Sequence, residues 1–270
     1  MIRIENLSRV YHRSRTSPFG PRAEVHALRD VSFEVEAGRR FGVVGESGSG
    51  KSTLVRLIAG LDQPTAGTVT FDGQRVDGRP ERQLSFLRRD LQVVFQDPMG
   101  SLDPRMRVRD IIAEPLVAQR IPGQGERVAE VLAAVGLPAD AGRRFPHQFS
   151  GGQRQRISLA RALAPRPKVL VADEPVSALD VSVRAQILNL LADLVDQFAL
   201  TLVFVSHDLS VIRHVCDTVA VLKSGELVEI GDVERVYRTP EHPYTRQLVR
   251  AAPTLRGALS GVTAADLITQ

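Results

Sequence analysis

Two patterns suited to binding phosphate stand far apart in this chain, Gly45-Glu46-Ser47-Gly48-Ser49-Gly50-Lys51-Ser52 and Ser150-Gly151-Gly152-Gln153. The first has the G-x-x-x-x-G-K-[ST] spacing. In such a loop the glycines turn backbone N–H groups toward phosphate oxygens, and the helix that follows adds the positive end of its dipole. Lys51 then reaches the β- and γ-phosphates, the Ser52 hydroxyl is a ligand for Mg²⁺, and Thr53 contacts the α-phosphate. The second pattern opens another helix, with Ser150 as its cap. One chain can bring only one of these elements to a given nucleotide's first shell, so a chain carrying both points to two molecules that close around shared nucleotides.

Four further residues carry the chemistry that phosphoryl transfer needs. Val169-Leu170-Val171-Ala172-Asp173-Glu174 is an apolar run ending in two adjacent carboxylates, which puts charge at the carboxyl edge of a sheet, where ligands of open α/β folds bind. Asp173 would hold Mg²⁺ through water. Glu174 would face the attacking water as general base or positioning group, because this reaction depends mainly on placement and charge neutralisation. Gln96 follows another apolar run and precedes Asp97-Pro98, so its amide is placed to touch both Mg²⁺ and the nucleophilic water from a hinge. His207, after Leu202 to Ser206, would contact the γ-phosphate from the same sheet edge.

The elements that must hold these groups are visible as two kinds of strand. Ile2 to Leu7, Val31 to Val35 and Thr68 to Phe71 are short, rich in β-formers and bounded by Gly, Asp or Pro, which predicts an antiparallel sheet at the edge. Arg40 to Val44, Leu91 to Phe95, Val169 to Ala172, Leu202 to Val205 and Val219 to Leu222 are nearly continuous apolar runs, the pattern of central strands covered on both faces. Helices are predicted to start at Lys51, Ser150, Asp180 and Asp208. Between Gln96 and Ser150 no strand pattern occurs, and helical periodicity runs through Val108 to Ala118 and Glu126 to Val135 with prolines between. This stretch reads as a helical insert between two core strands, carrying the second phosphate element on its last helix.

Composition excludes several classes. With 270 residues and 43% hydrophobic content the chain has enough apolar material for a sizeable core, so disorder as a whole is excluded. The formal net charge of +4 comes from basic residues scattered among acids, which fits an anionic membrane surface and makes no demand for nucleic acid. The single cysteine, Cys216, leaves no internal disulfide and no cysteine metal cluster and reads as a buried filler. No apolar stretch approaches a membrane span and the start lacks the apolar core of a signal peptide, so the expected location is the cytoplasm unless a partner brings the chain to a membrane.

Taken in order, the Gly45 loop, the Gln96 turn, Phe149-Ser150-Gly151-Gly152-Gln153, Asp173-Glu174, Ser177-Ala178-Leu179-Asp180 and His207 resemble the ATP-binding subunits of ABC transporters over nearly the whole chain. Phe149 stands where Leu is commoner. The resemblance implies an α/β fold: a P-loop NTPase core with a mostly parallel central sheet, an N-terminal antiparallel β subdomain and an inserted helical subdomain at about residues 97–165. It also implies one ATP-binding domain over residues 1–252, a short tail over 253–270, and ATP with Mg²⁺ as ligands. Tyr11 would stack on adenine. Two subunits would meet head to tail, Ser150 to Gln153 of one completing the site of Lys51, Asp173 and Glu174 of the other, with Asp180 communicating across the seam.

Finer motifs narrow the subfamily. Phe95-Gln96-Asp97-Pro98, Ser101-Leu102-Asp103-Pro104-Arg105-Met106, Gln153-Arg154-Gln155-Arg156, Ala172 to Ser182, His242-Pro243-Tyr244-Thr245-Arg246 and the long Arg13 to Val25 loop resemble dipeptide and oligopeptide importers and their nickel-importing relatives. The chain resembles the second ATPase subunit of such importers. Implied partners are transmembrane permease subunits, docked on the insert around Ser101 to Glu114, a sister ATP-binding subunit or a second copy, and indirectly an external substrate-binding protein, at the cytoplasmic face of the membrane. Two alternatives stay open: a nickel importer, and a non-transport accessory ATPase such as that of a carbon-phosphorus lyase system. A binding module without turnover conflicts with intact Glu174 and His207.

Overall fold

The structure, a computed structural model, describes residues 1–12 and 24–251. In chain order it begins with β1 (Ile2–His12), β2 (Glu24–Val35) and β3 (Arg40–Val44), then α1 (Lys51–Ile58), β4 (Ala66–Phe71), β5 (Gln74–Arg75), α2 (Ser85–Asp90) and β6 (Leu91–Val94). A run of helices follows, α3 (Pro98–Ser101), α4 (Val108–Ala118), α5 (Gln124–Ala134) and α6 (Gly151–Leu163). The last part is β7 (Val169–Asp173), α7 (Val181–Gln197), β8 (Thr201–Ser206), α8 (Leu209–Val215), β9 (Thr218–Lys223), β10 (Glu226–Asp232), α9 (Val233–Arg238) and α10 (Pro243–Ala251).

Two sheets result. The central one has the order β10-β9-β3-β8-β7-β6, parallel from β9 through β6 with β10 added antiparallel at one edge. The other is antiparallel throughout, in the order β2-β1-β4-β5.

Alternation along the central strands shows why their runs are apolar on both sides. Val44, Leu170, Ala172, Phe204 and Val221 belong to a core shared with α4, α6 and α7. Their neighbours Val43, Val171, Val203, Val205 and Leu222 belong to a second core shared with α1 and the antiparallel sheet. Side chains of a strand point alternately to its two faces, so a strand covered on both must be apolar at every position. The inner strands β9, β3, β8 and β7 therefore sit at the boundary of two cores with only their ends reaching solvent, while β10 at the edge exposes Glu226, Ile230 and Asp232.

The predicted strands appear, with extended limits at the edge. β1 and β2 run well beyond Leu7 and start well before Val31, because bulges near Asn6 and Asp30, both with positive φ, break the period-two pattern midway. Of the Arg13 to Val25 segment expected as a loop, Glu24 and Val25 belong to β2 and the rest lies outside the described residues. β10, with its Glu and Asp residues, carries little apolar signal as an edge strand. Between β6 and β7 every regular element among the described residues is helical.

Candidate functional site

The loop after β3 is shaped by local backbone demands. Gly50 has φ 106°, and a Cβ there would run into the Ala27 carbonyl, so only glycine turns the chain into α1 at this point. The turn delivers Lys51 as the first helical residue, 5% exposed, with its ammonium donating to the Gly45 carbonyl at 2.7 Å and the Glu46 carbonyl at 2.8 Å. Burial pushes the Lys51 ammonium below its ordinary range, and the charges of Glu174 and Asp173 pull it part of the way back. This is a buried cation short of negative charge.

The parallel strands bring the carboxylates to the same edge. Glu174 lies just past β7 in a left-handed conformation, φ 46°, where a non-glycine residue stores strain, and its N–H donates to the Val205 carbonyl at 3.0 Å. Its carboxylate is the hub of the site: Oε1 stands 3.7 Å from Lys51 Nζ, while Oε2 stands 3.1 Å from His207 Nδ1 and 3.5 Å from Gln96 Nε2. Asp173, the last residue of β7, is 8% exposed and its Oδ1 has no hydrogen-bond partner among the described residues. Burial raises its pKa, opposed by a hydrogen bond from Ser52, and the Glu174 charge adds to the rise.

An open cavity of 690 Å³ lies over the loop, lined by Glu46, Ser47, Gly48, Gly50, Lys51, Ser52, Thr53, Gln96, Glu174 and His207. Asp173 lies in an adjoining cavity of 510 Å³, which also touches Ser52 and Gln96. Gly45 and Ser49 are buried beneath. An orphaned carboxylate oxygen beside a serine hydroxyl and a glutamine amide fits a hard divalent cation, which takes oxygen ligands and completes its shell with water and phosphate.

Other expected residues are placed elsewhere. Ser150, Gly151 and Gln153 are exposed and line neither cavity. Ser150 caps α6 in a closed box: its Oγ accepts the Gln153 N–H at 3.3 Å, and Gln153 Oε1 accepts the Ser150 N–H at 3.0 Å. Asp180, also exposed, caps α7 by accepting the Val183 N–H at 3.0 Å. Gly152 brings the two helix starts together, since a Cβ there would lie 2.5 Å from Val183 Cγ1. Tyr11 does not line the cavity; its hydroxyl donates to Asp62 at 2.6 Å and the Arg9 guanidinium lies 4.5 Å from its ring centroid. The cavity wall instead includes Val25, His26 and Ala27 from β2 and Leu248 and Ala251 from α10, residues no local motif marks.

Residues 28–177 match the family model described as ABC transporter. The chain belongs to the ABC transporter ATP-binding family. A second model, oligopeptide/dipeptide transporter C-terminal region, matches residues 228–266 of the cassette. The cassette is 49% identical over 258 residues to the di/tripeptide transport ATP-binding protein DppF of Pseudomonas aeruginosa, covering 94% of this chain and 80% of that one. It is 53% identical to the oligopeptide transport ATP-binding protein OppD of Mycobacterium bovis over 85% of its own length and 38% of the relative's. The glutathione import ATP-binding protein GsiA of Escherichia coli is 51% identical over 85% of the cassette and 37% of that protein. The cassette thus spans under two-fifths of the latter two relatives.

Among solved structures, a dimeric ATP-binding cassette in a post-hydrolysis state bound to ADP and phosphate aligns with a TM-score of 0.74 at 30% identity, covering 86% of this chain and 99% of that one. CbiO1 of Clostridium perfringens, part of the CbiONQ ABC transporter complex, aligns with a TM-score of 0.76 at 26% identity over 97% and 98% of the two chains. The cassette is an ATPase of this family.

Proposed function

We propose that this cassette powers the import of peptides through a transmembrane permease, by ATP-driven closure of a pair of cassettes. Two findings support the peptide reading: the match of residues 228–266 to a peptide-transporter region, and the peptide-transport names of the relatives. The pairing rests on one structural observation. The Ser150 helix start is finished, exposed and absent from the cavity that holds Lys51 and Glu174, so its amides serve a site on another molecule.

In this reading each residue of the hub has a distinct task. Lys51 leaves the Gly45 and Glu46 carbonyls for the β- and γ-phosphates, which supply the negative charge its buried ammonium lacks. Thr53 and the loop amides of Ser47, Gly48 and Gly50 would hold the remaining phosphate oxygens, the Glu46 and Ser49 N–H groups being engaged by the Tyr244 hydroxyl and the Glu46 carbonyl. Glu174, with its carboxylate oriented by His207 and Gln96, positions the attacking water and accepts its proton. His207 follows to the γ-phosphate. Ser52, Asp173 and Gln96 would hold Mg²⁺, which when bound neutralises phosphate charge. Tyr11, whose hydroxyl is bonded to Asp62 and whose ring carries Arg9, would approach adenine from outside the cavity wall, and Asp180 would meet the partner beside Ser150.

No helix among the described residues is long and apolar enough to cross a membrane, so attachment at the cytoplasmic face would come through the permease. The permease would dock on the insert around Ser101 to Glu114, whose helix α4 also borders a cleft against α2 lined by Phe86, Pro115 and Ile121. Co-expression with a permease pair and purification from membranes tests the proposal. The cassette should co-purify with the permease and hydrolyse ATP faster when a peptide-loaded binding protein is added. A complex that responds to nickel and to no peptide overturns the cargo, and failure to associate with any permease overturns transport.

A further inference from the structure

The segment after β10 returns to the phosphate loop. Glu229, 8% exposed on β10, accepts the Glu241 N–H at its Oε1 and the His242 N–H at its Oε2, both at 3.0 Å, which fixes the turn before α10. His242 Nδ1 accepts the Tyr244 N–H at 3.1 Å and ties down the first turn of the helix. Tyr244 is 3% exposed, and its hydroxyl accepts the Glu46 N–H at 2.9 Å. Further along α10, Leu248 and Ala251 form part of the cavity wall.

The peptide unit joining Gly45 to Glu46 is therefore held at both ends. Its carbonyl accepts from the Lys51 ammonium at 2.7 Å and its N–H donates to Tyr244. A trans peptide is planar and presents these two groups in opposite directions, so fixing one aims the other. The ring has packing of its own, with Lys223 Nζ 5.0 Å from its centroid. A phenol is protonated at neutral pH, and burial raises the Tyr244 pKa further.

We propose that Tyr244 is a positioning residue for ATP binding: its hydroxyl sets the plane of the Gly45–Glu46 peptide and so holds Lys51 at the station from which it passes to the phosphates. The inference rests on the reading of this cavity as the nucleotide site and makes the C-terminal segment a working part of that site. The hydroxyl acts through the loop and touches no reacting atom. Its loss should therefore weaken nucleotide binding while leaving the chemical step intact.

Tyr244→Phe keeps the ring and removes the hydroxyl. In the full chain its Kd for MgATP should rise about three- to tenfold, the value of one neutral hydrogen bond. In the permease complex KM should rise by the same factor with kcat within about twofold of the parent. A merely structural role would lower the melting temperature and leave Kd unchanged, and that result overturns the proposal. Glu229→Gln, which loosens the turn before α10 without touching the loop, should raise Kd in the same direction by a smaller factor, and covers the case in which Tyr244→Phe fails to fold. Unchanged Kd in Glu229→Gln then overturns the proposal as well. Lys51→Ala separates the two levels: if it binds MgATP as the parent does, the nucleotide reading itself falls, whereas its loss of binding beside a normal Tyr244→Phe leaves that reading standing and sinks the role of Tyr244 alone.

Discussion

The loop over α1 and the start of α6 both offer backbone amides to phosphate, yet they are built in opposite ways. Around the loop, charges lie under partial burial and lean on one another: Lys51 is pushed down, Asp173 pushed up with one oxygen unpartnered, and Glu174 is held in a strained conformation. At the start of α6, Ser150 and Gln153 satisfy each other and face outward. In the proposed nucleotide site the phosphates would supply the negative charge that Lys51 lacks, and a bound cation the positive charge that Asp173 and Glu174 lack. The second region is rigid and relaxed, and costs nothing to hold ready. Under the proposed pairing, a site divided this way would let ATP bind to one molecule and would confine rapid hydrolysis to the closed pair, since preorganised groups act most strongly where water is excluded.

The sharpest way to break this comparison is to remove the charge at the hub. Glu174→Gln should lower ATP turnover by about a hundred- to a thousandfold, the scale of losing a principal catalytic group, while ATP still binds and closed pairs accumulate. Phosphate release and light scattering on the same sample check both halves, and continued turnover removes Glu174 from its role.

A smaller effect is expected on the relaxed side. In Gly151→Ala the new methyl meets Leu179 Cδ2 at an ordinary 3.5 Å, so the fold stays, but the methyl stands on the surface offered to the partner. Turnover should fall roughly tenfold, about 1.4 kcal/mol of lost transition-state stabilisation, with MgATP binding to the isolated chain unchanged. Gly152→Ala, by contrast, drives a methyl into Val183 and should cost about 1–3 kcal/mol of stability, read from denaturant unfolding. Equal behaviour of the two variants would show that this helix start is structural alone.

The smallest effect concerns Asp173 in the nucleotide-free cassette. Its pKa is raised in the folded state, chiefly by burial, so the folded protein binds more protons than the unfolded one just above the ordinary carboxylate range. The contribution to stability is present at low pH and is lost as pH rises through the raised value. Asp173→Asn should remove that loss, giving a smaller decline in melting temperature than the parent as pH rises above the ordinary carboxylate range. An unchanged pH profile means that Asp173 is solvated like a surface carboxylate.

Much of this molecule was legible without coordinates, because its central strands are nearly continuous apolar runs and several end in polar residues at one sheet edge. β3 and α4 occupy the limits their patterns predict, and α6 and α7 start just after their expected caps, Ser150 and Asp180. The edge was harder. β1 and β2 outrun their readable stretches through bulges, and β10, α2, α9 and α10 carry weak or mixed patterns. Tyr11 illustrates a different limit: its place in the order of motifs says nothing of the hydroxyl bond to Asp62 or of the guanidinium over its ring.

By itself the chain determined whatever depends on neighbours in sequence: the turn at Gly50, the caps of α6 and α7, and the double-faced burial of the parallel strands. Tertiary structure alone decided which distant groups meet. Gln96 reaches Glu174 across 78 residues, and Tyr244 reaches Glu46 across 198. The physical reason is that a local pattern sets backbone conformation and the face a side chain takes, while contact between remote side chains depends on strand order and register. In this cassette that order brings β3, β7 and β8 side by side and leaves the start of α6 pointing away from the site it resembles.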